Sequence, residues 1–283
     1  MTLITTQYHW RLSLAGLGLA LLPLATAVEP PASNRLEFEV ASIKLADPGA
    51  KRSGLSARNG NDLLVENWPI RNLIKFAYSL QDFQLAGGPK WIESERYSIV
   101  AKAPRDESIL KLPEDRSLMT EEQFQTRGER LRARVRSLLA DRFGLVLRNE
   151  TRSATVFRLV QDKGGAKVKL VEKPGERQGV VDNGKGRIEG IATTIEMFAH
   201  DLSTIMQSPV RDETGLTGKY DFVLEWAREE EKAVPIGSDS ASPDNSGPSL
   251  GSALRGQLGL RLYPERGSVD VVVVDQITRP AAN

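Results

Sequence analysis

The side chains able to do acid–base work in this 283-residue chain are almost all carboxylates, for it has two histidines and no cysteine. His9 lies in an apolar leader, so His200 is the imidazole left to the rest of the chain. Catalysis of the Ser-His-Asp or Cys-His kind would have to use it or do without. A multi-histidine zinc site and any cysteine cluster are excluded by inventory, and no metal or cofactor is expected. The sharpest local pattern is Asp212-Glu213-Thr214-Gly215, which invites comparison with the Asp-Thr-Gly loop of aspartic proteases. Those enzymes need two loops whose carboxylates share a proton. Here Glu213 intervenes and no second loop exists. The pattern reads instead as a turn, in which Asp and Gly supply the backbone geometry. Asp212, Asp221 and Glu225 are nonetheless the first carboxylates to test for polymer hydrolysis, which needs only two carboxyl groups about 5–10 Å apart in a pocket. His200 is a further candidate base or ligand.

Three other groupings could bind rather than react. Arg127, Arg130, Arg132, Arg134 and Arg136, continued by Arg142, could meet phosphate or an anionic glycan. Diluted by Glu129 and Asp141, they read as the solvated face of an amphipathic helix. Trp68, Trp91 and Trp226 could stack on sugars, but each sits at an element edge, where an indole buries its ring and keeps its N–H near water. Gly87-Gly88-Pro89 has no Lys-Ser/Thr pair and is a turn, not a phosphate loop.

These residues must be positioned by a fold, and the leader comes first. Arg11 is the one charged side chain among residues 1–27, and an apolar run of about 16 residues follows it, closing at Ala25-Thr26-Ala27. That combination describes a cleavable signal peptide over 1–27, and the run is short of the ~20 residues a spanning helix needs. An uncleaved anchor is the alternative. The absence of cysteine excludes a lipoprotein anchor, and no later stretch is long and apolar enough to span a membrane. Lys plus Arg number 38 against 37 for Asp plus Glu, and without Arg11 the two balance. Such a surface has no basic field for nucleic acid. The expected location is periplasmic or secreted, and the expected partner an envelope protein or an extracellular ligand.

Beyond the leader the pattern reads as two copies of one unit. In the first, Leu63-Leu64-Val65 is a strand and Pro69 opens a helix with Ile70, Leu73, Ile74, Ala77 and Leu80 on one stripe. Arg96–Ala101 alternates as a strand. Leu131–Phe143 is a helix closed by Gly144, and Leu145–Leu147 with Thr155–Val160 form a hairpin. In the second, Arg187–Gly190 is a strand, and Thr193 with Glu196 forms a capping box for a helix carrying Ile195, Phe198, Ala199, Leu202 and Ile205. Lys219–Leu224 is a strand, Ser249–Leu258 a helix capped by Gly259, and Leu260–Leu262 with Val269–Asp275 a hairpin. Phe76-Ala77-x-x-Leu80 matches Phe198-Ala199-x-x-Leu202, and Gly144-Leu145-x-Leu147 matches Gly259-Leu260-x-Leu262. The expected fold is α+β: two similar β-α-β-α-β-β units from an internal duplication, with small mixed sheets packed on helices. The first spans 36–171, a linker 172–185, and the second 186–279. Loose stretches are expected over 46–61, 103–120 and, as a disordered loop, 228–248.

The ordered blocks carry a resemblance. Phe38-Glu39-Val40-Ala41-Ser42-Ile43-Lys44, Gly87-Gly88-Pro89-x-Trp91 and Arg96-Tyr97 come first. Leu138 to Leu145 and Lys163 to Lys167 follow. The sharpest is Pro209-Val210-x-Asp212-x-Thr214-Gly215-Leu216-Thr217-Gly218-Lys219-Tyr220-Asp221-Phe222, and Gly247 to Leu250 with Gln257 to Leu260 complete the set. Together they resemble an uncharacterised soil-associated family expanded in Acidobacteria, across nearly the whole chain after the leader. The resemblance implies export and a domain of unknown function, and brings no catalytic residues. Similar domains are sometimes joined to membrane metallopeptidases of the antibiotic-sensor type, which implies sensing or binding. The function expected is a non-catalytic binding or interaction module of the cell envelope. The alternative is a carboxylate-dependent hydrolase of envelope or environmental polymers.

Overall fold

The computed structural model describes residues 35–58, 62–105, 119–173, 175, 178–227 and 247–281. The expected signal peptide, residues 106–118 of one loose stretch and 228–246 of another lie outside the described residues. From Arg35 onward the chain is one compact unit. Its first elements are β1 (Val40–Leu45), β2 (Gly54–Arg58), β3 (Asp62–Pro69), α1 (Ile70–Tyr78), β4 (Leu85–Gly87), α2 (Trp91–Ser94), β5 (Arg96–Lys102), α3 (Glu121–Phe143) and β6 (Val146–Gln161). Then come β7 (Lys169–Leu170), β8 (Gly179–Asp182), β9 (Arg187–Thr193), α4 (Ile195–Met206), β10 (Val210–Asp212), β11 (Tyr220–Glu225), α5 (Leu250–Ala253) and β12 (Leu260–Gln276). A π-helical turn, Leu254–Leu258, continues α5.

The helices form where the apolar stripe and the caps agree. In α1, Ile70, Leu73, Ile74 and Ala77 are all buried, and Pro69 precedes the first turn in an extended conformation. Ser79 ends the helix with φ 53°, closing it by bonds to the carbonyls of Lys75 and Phe76. The third helix begins well before the expected Leu131, because Thr120 and Gln123 form a reciprocal capping box ahead of a polar first half. Gly144 closes it at φ 57°. The expected capping box of α4 does not form: the N-cap is Thr194, not Thr193, its hydroxyl accepts the Met197 N–H at 3.2 Å, and Met197 in the third position has no side-chain oxygen to return the bond. Thr193 instead completes β9 opposite Tyr220 and is buried there.

Among the described residues three four-stranded sheets carry the architecture, in orders β1-β5-β3-β2, β10-β6-β12-β4 and β7-β11-β9-β8. The two expected hairpins are not present. Each is one long strand, and β6 pairs antiparallel with β12 from Val146↔Gln276 to Gln161↔Leu260. The polar segments between the expected strands of each hairpin are extended instead: Glu150–Ser153 lies opposite Val271–Ser268 and Glu265–Ser268 opposite Val156–Ser153, so the ladder runs on through both and pairs their backbone. The fold is thus mixed α+β with small sheets, tied together by one ribbon. Raising each strand number of the first sheet by six gives the order of the third, and exchanging strands six apart in number (β4 with β10, β6 with β12) returns the central sheet's own order read from its other edge. Ser153 faces Ser268 in the ribbon, and these two are as far apart in sequence as Gly144 and Gly259.

Two cores flank the ribbon. The first gathers Ile70, Leu73, Ile74, Ile99, Leu139 and Phe143 with Val274 and Ile277. The second gathers Ile188, Ile195, Phe198, Leu202, Leu224 and Leu258 with Leu159. A smaller cluster, Val156, Val269, Val271 and Val273, lies along the ribbon itself.

Candidate functional site

The Asp212 block leaves the end of β10 and closes on itself. The Asp212 carboxylate accepts the Thr214 N–H at 2.9 Å and its hydroxyl at 2.7 Å, and the Thr214 oxygen accepts the Leu216 N–H at 3.2 Å. Thr214 is buried. The Gln161 amide donates to the Thr214 carbonyl at 2.8 Å, and the Glu213 N–H to the Leu159 carbonyl at 2.9 Å, so the turn is fastened to the end of β6. Gly215 at φ 69° supplies a conformation that other residues resist. This is an Asx turn extended by a hydroxyl.

The two carboxylates downstream are engaged elsewhere. Asp221 accepts the N–H of Ala192 at 2.8 Å, where Ala192 sits at φ 43° and the β9–β11 register shifts. It therefore satisfies a backbone donor that the bulge would orphan. Glu225 pairs with Arg187, and its backbone exchanges two bonds with the Gln257 amide at 2.9 and 2.7 Å.

His200 is exposed on α4, with the Gln81 amide 3.0 Å from Nδ1 and donating to the His200 carbonyl at 3.1 Å. Its neighbour Asp201 was not singled out by the sequence. Burial holds the Asp201 carboxyl above the usual range, with His200 opposing and Asp182 adding to the effect. Among the described residues no three His, Asp or Glu side chains gather as a metal-holding set.

The arginine run is a correction to the solvated-face reading. Arg134 is only 2% exposed and donates to the Glu37 carbonyl at 3.3 Å. Arg136 caps α1 through the Ala77 carbonyl at 2.8 Å and pairs with Glu129 at 2.6 Å, while Arg132 pairs with Glu129 at 3.0 Å. Arg134 and Arg136 thus fasten α3 to the rest of the first half, while the Arg132–Glu129 pair stays within the helix; Arg can carry charge inward when its fork is met by fixed oxygens. The tryptophans are packing residues too. Trp91 and Trp226 are buried in the two cores, and Trp68 packs on the first. Trp91 meets Tyr97 edge-on, and Arg279 lies over its ring at 5.2 Å. Arg279 also bonds Glu95, which accepts the Tyr97 hydroxyl at 2.9 Å. Burial, helped by the Glu95 carboxylate, pushes the Tyr97 phenol up to about 12.

An open cavity of about 200 Å³ lies between Glu37, Phe38, Glu39 and Ala41 on one side and Ser137, Leu138, Asp141 and Arg142 of α3 on the other. At its edge Arg35 bonds the Ser137 hydroxyl at 3.1 Å and Asp141 at 2.6 Å. Asp212, Asp221, Glu225 and His200 do not line it. The structure does not bring these four together through any bond between them.

Fold and side-chain geometry define an α+β protein of three linked sheets, with its distinctive loop residues spent on backbone. The family described as a protein of unknown function, DUF3738, matches residues 71–277, and the chain belongs to it. Comparison with curated proteins and with solved structures gave no match. The family match agrees with the resemblance to an uncharacterised domain family.

Proposed function

We propose that this chain is an exported, non-catalytic binding or interaction module of the cell envelope, periplasmic or secreted, from the soil-associated group expanded in Acidobacteria that its motifs resemble. The observation that carries this reading is the occupation of the candidate carboxylates: Asp212 holds its own turn and Asp221 a bulge amide, while Glu225 is paired with Arg187. A hydrolase built on them would need two carboxyl groups free to face one substrate. Export rests on the leader and on the resemblance, which implies it. We also read the two halves as an internal duplication, supported by the repeating strand order and by the matched positions of Ser153 and Ser268.

Two measurements test the proposal together. The full chain is expressed with a C-terminal tag in a two-membrane bacterium, and the mature N-terminus is read by mass spectrometry from the periplasm and medium. A start at Val28 supports export; retention of the leader in the cytoplasm refutes it. Crosslinking in intact envelopes followed by affinity capture is expected to enrich a defined partner over a leader-matched control protein. Absence of any enriched species, with turnover of an envelope polymer that Asp212→Asn abolishes without a change in melting temperature, would reverse the reading to the hydrolase.

A further inference from the structure

We infer that the pieces of this chain on either side of Gly175 complete one another as two subunits of a two-fold dimer do, so that the peptide joining them is dispensable once the protein has folded. The inference rests on strand pairing and core composition and is independent of the proposed function. The pairing crosses the divide wherever the central sheet forms. β6 belongs to the first piece and β12 to the second, and they pair from Val146↔Gln276 to Gln161↔Leu260. Each outer strand of that sheet also crosses: β4 of the first piece lies parallel on β12, and β10 of the second lies parallel on β6. Even the short β7 leaves the first piece to pair with β11 of the second.

The cores follow the strands. Val274 and Ile277 come from the second piece and are buried in the first core, while Leu159 comes from the first piece and is buried in the second. The tail that follows β12 is latched to the first piece, with the Thr278 N–H 2.7 Å from the Phe143 carbonyl and Arg279 on Glu95 at 3.0 Å. In the other direction the Lys167 N–H donates to the Leu258 carbonyl at 2.8 Å. Neither piece alone can pair its long strand or fill its core, so each is the other's obligatory partner. Gly175 itself is exposed, and a Cβ placed there meets nothing within 4 Å.

The test inserts a protease recognition sequence at Gly175 of the full chain and cuts the folded protein. The two fragments are expected to elute together at the volume of the uncut chain, to part only in denaturant, and to reunite on its dilution. Melting of the cut protein should rise with protein concentration, while that of the uncut protein stays constant. Fragments that separate without denaturant, or a melting temperature of the cut protein that ignores concentration, would overturn the inference. Arg211→Pro isolates the crossing strands. The Glu213 N–H faces β6 and the Val210 N–H faces Ser203, so by alternation the Arg211 N–H faces β6. Its removal should lower the urea concentration at which the cut fragments part; no change there would also count against the inference.

Discussion

Gly144 and Gly259 occupy matching places, each closing a helix in the left-handed region at φ 57° and 64°. Alanine at either one must adopt a conformation that costs an L residue about 1 kcal/mol. The surroundings then separate them. At Gly144 the nearest atom to an added Cβ is the Thr278 hydroxyl at 3.4 Å, an ordinary contact. At Gly259 the added Cβ would lie 2.1 Å from the Gly165 carbonyl oxygen, which is backbone and must move. That movement strains two flanking bonds of 2.8 Å, from Asp162 N–H to the Gly259 carbonyl and from Lys167 N–H to the Leu258 carbonyl. Each such bond contributes about 0.5–1.5 kcal/mol net. Gly144→Ala should therefore cost about 1 kcal/mol and Gly259→Ala about 2–4 kcal/mol. Equilibrium urea unfolding of both variants measures the difference as a shift in midpoint at constant slope. Equal losses in the two variants would refute the reasoning, because the backbone clash is the one term that distinguishes them.

Asp212→Ala removes the one carboxylate oxygen that accepts both the N–H and the hydroxyl of the buried Thr214 and should destabilise by about 1–3 kcal/mol, with Asp212→Asn losing less; an unchanged melting temperature for the alanine variant would show that the turn does not need the carboxylate. At Gly190 an added Cβ would sit 2.4 Å from the Phe222 ring, which itself packs 4.7 Å from Phe198. Gly190→Ala is thus expected to cost about 1–3 kcal/mol by overpacking, read as a fall in thermal midpoint, and a midpoint at or above that of the parent contradicts the packing. The Tyr97 phenol is raised from 10.0 to about 12, so its neutral form is favoured on folding. That contribution is complete below pH 10.0 and is lost as pH climbs through about 12. Unfolding measured across this window should show a steeper decline for the parent than for Tyr97→Phe, and parallel declines would remove Tyr97 from the account.

Local order was legible in the sequence wherever one period and one cap pointed the same way. The stripe from Ile70 to Ala77 and the alternation of Tyr97, Ile99 and Ala101 lie where their spacing puts them. What was not legible depends on partners distant in sequence. Nothing local distinguishes a turn near Glu150–Ser153 from a strand whose mate is Val271 to Ser268. Thr193 and Thr194 are equally good caps by type, and only the pairing of Thr193 with Tyr220 assigns it to the strand. A run of arginines reads as solvated until a carbonyl such as that of Glu37 is brought to Arg134. At the Asp212 block the residue types alone indicated a turn, because Asp, Thr and Gly solve backbone problems within a few residues. Asp201 carried no such signal, since its burial is set by the packing around α4.

The crossing of β4 onto β12 also sets a clock. Leu85 pairs with Val272, which is synthesised about 190 residues later, a delay of roughly 10–40 s at ordinary elongation rates of about 5–20 residues per second. Through that interval β4 has no partner and β6 lacks its long mate β12, and Leu139, Phe143 and their neighbours wait for Val274 and Ile277 to cover them. Contacts of such long range also make folding slow after the chain is finished. The nascent first half is therefore a sticky, open-edged intermediate, and the yield of native protein should depend on how long a holding chaperone keeps it from its neighbours.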